Sequence, residues 1–202
     1  MRIHERIKVS EPVAGVRLYS VPTALKGITH IAGSLLGGDV YSPANHCALP
    51  GVVADMLDEG TRRHSKHTLA ARLEGVGASL AFSAASHHVR FSGIARPQDS
   101  ALWIETLAEE LRESAFKARA FASVIKRIVG TLDAEAEDTD EQATIRLSRL
   151  LFPEGHPNAH HATDEVKRDI ASLRTADARA FHARAYGTGS LTLVAAGDVD
   201  AE

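Results

Sequence analysis

Cysteine is almost absent from this 202-residue chain: Cys47 stands alone. No intrachain disulfide can form, and no thiolate-rich metal site can be assembled. A single cysteine of this kind reads first as a small buried hydrophobe. Aromatic residues are scarce too, at 5% with one Trp, so base-stacking platforms for single-stranded nucleic acid are poorly supplied. An excess of positive charge is also missing. The 23 basic side chains are outnumbered by 26 acidic ones, for a formal charge of -3, which argues against a nucleic-acid partner. No apolar run approaches the roughly 20 residues that cross a bilayer, so no membrane span is expected. The opening MRIHERIKVSEP carries charges where a signal peptide needs an apolar stretch. The chain as written reads as soluble and untargeted; cytoplasmic and periplasmic locations both stay open, because any signal could lie upstream.

The common catalytic strings are missing as well. There is no Gly-x-Ser-x-Gly elbow, no Gly-x-Gly-x-x-Gly, no Walker loop and no His-x-x-Glu-His. Gly33, Gly37 and Gly38 read as turn glycines beside a strand. Eleven histidines are many for this length. His64 and His67 stand three apart, and HPNAHH sets His156, His160 and His161 close together. The second group sits in a polar loop where chelation is sterically possible, although a solvated connection is the ordinary reading. The carboxylates of DAEAED at 133–138 read as the wet end of a helix.

What the chain does have is 44% apolar residues arranged in two successive periods. Segments 3–9, 15–21 and 27–36 are short runs bounded by Gly and Pro, as paired strands require. Residues 39–45 read as a loop. From His46 the spacing turns helical, through Leu49, Val52, Val53, Met56 and Leu57, and Gly60-Thr61 closes the segment. A helix over 66–76 follows, then strands 78–83 and 88–94 as an antiparallel pair. Helices are expected at 101–111, 119–136, 138–152, 164–173 and 175–186, and a last strand at 190–196. In the first of these, Glu105, Glu109 and Glu110 are assigned to the wet side. The order argues for a single α+β domain with helices on one face of a mainly antiparallel sheet.

The segment ADMLDEGTRRHSKHTLAARLEGVGASLAFSAASHHVRFSG, residues 54–93, resembles the pitrilysin/insulinase family of zinc metallopeptidases, which includes the mitochondrial processing peptidases. Gly60-Thr61, Ser65, Leu73-Glu74 and Gly77-Ala78 follow that family's order. LLFPEGHPNA and LRTADARAFHARAYGTGSLTLVAAGDVD resemble two later stretches, so the likeness runs along nearly the whole chain. Active members carry His-x-x-Glu-His on the helix before Gly-Thr, with a distal Glu as third ligand. The corresponding positions here hold Gly51, Ala54 and Asp55, and the distal position falls at Gly130 or Thr131.

The resemblance therefore implies a non-catalytic member with no zinc, no other cofactor and no catalytic residue. It implies a processing-peptidase-like domain spanning 1–202, expected to be the first domain of one half of a longer chain. Its implied partners are a zinc-bearing half, fused upstream or separate, a downstream domain of the same half, and unfolded peptide. The family adds peptide as a strand to a sheet edge, and the matching segment is Ser79, Leu80, Ala81, Phe82 and Ser83. The wall that carried the zinc ligands is expected to be shallow and uncharged except for Asp55. The competing expectation is a metal-dependent peptidase built on His156, His160 and His161.

Overall fold

A computed structural model describes residues 3–43, 46–156 and 158–199. It contains one six-stranded sheet and seven α-helices among those residues. The strands are β1 (Lys8–Val13), β2 (Val16–Pro22), β3 (Thr29–Leu36), β4 (Ser79–Ala84), β5 (His88–Ala95) and β6 (Leu191–Gly197), in the spatial order β1-β2-β6-β3-β5-β4. All neighbours are antiparallel except β2 and β6, which run parallel from the Val16–Leu191 pair to Pro22–Gly197. The mainly antiparallel α+β architecture expected from the sequence is thus the one found.

The helices are α1 (Leu49–Met56), α2 (Lys66–Glu74), α3 (Ser100–Glu113), α4 (Ala118–Glu137), α5 (Thr139–Leu151), α6 (Thr163–Ser172) and α7 (Thr175–Ala185). Alternation along the strands defines the covered face. Ile31, Leu35, Val89, Phe91 and Ala95 are buried, whereas His30, Ala32, Arg90 and Ser92 between them are exposed. The buried side chains pack with Leu57, Leu73, Trp103 and Leu107. A second core joins Leu49, Val52, Val53 and Met56 of α1 to Phe121, Val124, Ala178 and Phe181. Helix α1 therefore sits between the two cores, which fixes its position more firmly than its eight residues could alone.

Several boundaries and faces differ from expectation. Residues 3–6 form a 3-10 turn, and the first strand starts at Lys8, later than the loose alternation suggested. Helix α1 begins at Leu49 because Asp169 of α6, not a residue at the helix start, accepts the Ala48 N–H at 2.7 Å. The same carboxylate lies 3.0 Å from His46 Nδ1. Helix α5 is capped by Asp138, whose side chain accepts from Asp140 and Glu141 N–H. Helices α6 and α7 lack side-chain caps at Ala162 and Arg174. Glu165 and Asp177 reach back to those residues' N–H groups instead. On α5 Ile145 is buried, whereas Leu147, Leu150 and Leu151 stand exposed. The end of the loop expected at 39–45, residues 44 and 45, lies outside the described residues, as do residues 200–202 after β6.

The largest correction concerns α3. Glu105 is exposed, but Glu109 and Glu110 are buried at 5% and 3% exposure. Glu109 serves the Gly-Thr turn. Gly60 adopts φ +112°, where an L side chain would be strained, and a Cβ there would stand 3.1 Å from the Lys66 amide nitrogen. Thr61 follows, buried, and donates its hydroxyl to Glu109, which also accepts from His64 Nδ1 at 2.8 Å. Arg63 and Arg72 stand 3.9 and 3.7 Å from the same carboxylate. His64 is therefore a structural partner, not one of a ligand pair with His67.

Candidate functional site

The positions matched to the zinc ligands gather in one place. Helix α1 sets Gly51 and Asp55 one turn apart. Both line a cavity of about 440 Å³ with Thr131 and Arg127 of α4 and Phe82, Ser83 and Ala84 of β4. Ala54 lines an adjoining cavity of about 300 Å³ that shares Asp55, Phe82 and Arg127 with the first. Of the two candidate distal positions, Thr131 lines the cavity and Gly130 does not.

The chemistry of that donor set does not fit a zinc ion. Gly51, Ala54 and Thr131 present no imidazole or carboxylate, and a zinc site takes at least three protein ligands. The one carboxylate, Asp55, is engaged: its Oδ2 lies 3.3 Å from Arg127 Nη1. Burial pushes the Asp55 carboxyl above its ordinary range, against the pull of the Arg127 guanidinium. A fixed cation thus stands where a divalent cation would have to be received. The wall was expected to be uncharged except for Asp55, and it is not: Asp39, Arg127 and Glu135 line it together with Asp55. A Cβ on Gly51 would meet nothing within 4 Å.

The histidine alternative is not supported by the geometry. Among the described residues, no three His, Cys, Asp or Glu side chains come together in a way that could hold a metal. His156 stacks on Phe152 with ring centroids 4.7 Å apart, and its Nδ1 accepts from the Asn158 N–H. His161 Nδ1 lies 4.0 Å from Glu165. Pro157 within that loop lies outside the described residues. The Cys47 thiol is half-buried and pushed up to about 12, by burial first and by Asp169 second, so it is no nucleophile at neutral pH.

The segment Ser79–Ser83 lies within β4, the last strand of the sheet, with no described strand beyond it. Leu80, Phe82 and Ala84 turn toward the core, and Ser79, Ala81 and Ser83 are exposed. Trp103 Nε1 donates to the Ser79 carbonyl at 2.6 Å and pins the start of the strand. Three cavities follow one another along this strand: one lined by Ser79 and Leu80, one by Ala81 and Phe82, and one by Phe82 to Ala84. Sequence reasoning located the strand. It missed Arg127 and Glu110, whose spacing is that of ordinary amphipathic helices.

No family model matches the sequence, and no curated protein does. Solved structures match its fold. The peptidase M16 inactive domain from Pseudomonas fluorescens superposes with a TM-score of 0.84 at 20% identity, over 96% of this chain and 47% of that one. A protease from Helicobacter pylori gives 0.85 at 14% identity, over 96% and 47%. Pitrilysin gives 0.74 at 15% identity, over 93% of this chain and 20% of its own. The fold is that of a pitrilysin-type, M16 peptidase domain. The chain spans just under half the length of the first two structures and about a fifth of pitrilysin. Among the described residues, no helix is long and apolar enough to cross a membrane.

Proposed function

We propose that this domain is a non-catalytic wall of a paired-half peptidase chamber, and that it holds unfolded peptide as an added strand on β4. The observation that carries the reading is the vacated site itself. The positions that the resemblance matches to the zinc ligands and the general base, Gly51, Asp55, Ala54 and Thr131, lie around adjoining cavities, and Arg127 stands beside them. Peptide cleavage would then fall to a zinc-bearing half, fused upstream or recruited as a separate subunit, and a downstream domain would complete this half. The unpaired outer edge of β4 supports the substrate-holding role, because backbone pairing needs no particular side chain.

The test uses the purified chain, one equivalent of zinc, and an unstructured reporter peptide. The expected result is no metal retained through gel filtration, no cleavage, and slowed hydrogen exchange at the backbone amides of residues 79–84 when peptide is added. Stoichiometric zinc or cleavage overturns the non-catalytic reading. Unchanged exchange at saturating peptide overturns strand addition.

A further inference from the structure

The cavity at the start of β4 has a chemistry of its own. It measures about 190 Å³ and is lined by Ser79 and Leu80 of the edge strand, Leu69 and Leu73 of α2, and Glu110 of α3. Glu110 is 97% buried by its 3% exposure, and its Oε2 has no hydrogen-bond partner among the described residues. A buried carboxyl oxygen without a donor is costly. Three carboxyl groups line the cavity, those of Asp58, Glu74 and Glu110, against one ammonium, Lys66. That ammonium lies 2.5 Å from Glu59, so it is already committed outside the cavity lining.

An apolar wall with an unpaired carboxyl group suits a side chain that has an aliphatic stem and a cationic head. Strand pairing supplies such a side chain in the right place. A peptide added beside β4 turns every second side chain to the face of the sheet on which Leu80 and Phe82 lie, and the cavity is on that face. We propose that this cavity receives a lysine or arginine side chain of the peptide paired on β4, with Glu110 as its carboxylate partner. The inference rests on strand addition at β4 and names the residue class that addition selects.

Burial, with the Asp58 and Glu109 carboxylates adding, pushes the Glu110 carboxyl up to about 8. The groups around it are Asp58 from the turn after α1, Lys66 and Glu74 from α2, and Glu109 beside it on α3. A cation entering next to Glu110 favours the ionised form, so binding at neutral pH releases a proton from Glu110 to solvent.

The experiment walks a single lysine along a ten-residue unstructured peptide and repeats the series with norleucine at each position. Binding is read by fluorescence anisotropy, and hydrogen exchange at residues 79–84 is followed in parallel. One lysine position is expected to bind about tenfold tighter than its norleucine counterpart, and Glu110→Gln to abolish that difference. In the wild-type chain, titration in two buffers of different ionisation enthalpy is expected to show proton release at pH 7 with that lysine peptide only. This readout stands even if Glu110→Gln does not fold. Lysine and norleucine peptides that protect β4 equally and bind alike overturn the pocket but leave strand addition intact. A preference that persists in folded Glu110→Gln overturns the role of Glu110. Peptides that neither bind nor protect β4 overturn both.

Discussion

Arg127 Nη1 stands 3.3 Å from Asp55 Oδ2 and ties α4 to α1 across the cavity where the ligand positions converge. The pair does more than occupy space: it sets a permanent positive charge beside the cavity that Gly51, Asp55 and Thr131 line.

Restoring ligands should therefore fail while Arg127 remains. The triple variant Gly51→His, Asp55→His, Thr131→Glu is expected to bind zinc at least about tenfold more weakly than the same triple variant carrying Arg127→Ala, since a guanidinium opposes a divalent cation at short range. Competition against a colorimetric chelator measures both. Ala54, at 1% exposure, is left unchanged because a Glu there would overpack α1.

Glu109 should set the acid limit of the fold. Burial pushes its carboxyl up, but hydrogen bonds from Thr61 and His64 and the charges of His64 and Arg63 outweigh this and leave it lowered. A lowered carboxyl contributes stability above its unfolded value, near 4.5, and loses it as pH falls through the folded value. Glu109→Ala is expected to cost roughly 2–4 kcal/mol at pH 7, because Thr61 and two arginines lose their common acceptor. The difference from wild type should shrink toward pH 3 in urea titrations.

Glu110 should act in the opposite direction. Its raised carboxyl favours the folded state while protonated, fully so below the unfolded value of 4.5, and that contribution is lost as pH rises through about 8. Wild-type stability is expected to fall across this window by at most about 1.4 kcal/mol per pH unit from this group. Glu110→Gln should flatten the slope. Thermal melts at pH 5, 7 and 9 distinguish the two curves.

Gly93 should control whether the edge strand is available. A Cβ there would lie 1.8 Å from the Ser79 carbonyl oxygen and 2.9 Å from Trp103 Nε1. Gly93→Ala must push β4 away from β5, at an expected cost of about 2 kcal/mol or more. Faster hydrogen exchange at residues 79–84 in the variant would register the displacement, and peptide binding should weaken with it.

Much of this arrangement could be read before any coordinates. Gly, Pro and the change of period from two to 3.6 marked the strands and helices within a few residues. The Gly60-Thr61 and Gly77-Ala78 signals placed α1 and the edge strand. What stayed hidden were relationships across the chain. Nothing local in ETLAEEL distinguishes Glu109 and Glu110 from Glu105, because only the turn at Thr61 and the neighbouring α2 make that side of α3 an interior. Arg127 looks like any solvated helix residue until α1 is set opposite it. The exposure of Leu150 is the reverse case, an apolar stripe that no described element covers.

Strand β6 is made from residues 191–197, yet it lies between β2 and β3 in the sheet. Among the described residues, the β1–β2 hairpin pairs with the rest of the sheet through β6. A chain emerging from the ribosome can build the β3–β5–β4 unit early, but β2 has no partner on its second edge until residues 191–197 have been made. This topology makes the insertion of β6 between the β1–β2 hairpin and the β3–β5–β4 unit the expected last step of closure, with the waiting strand edges open to pairing with another chain until then.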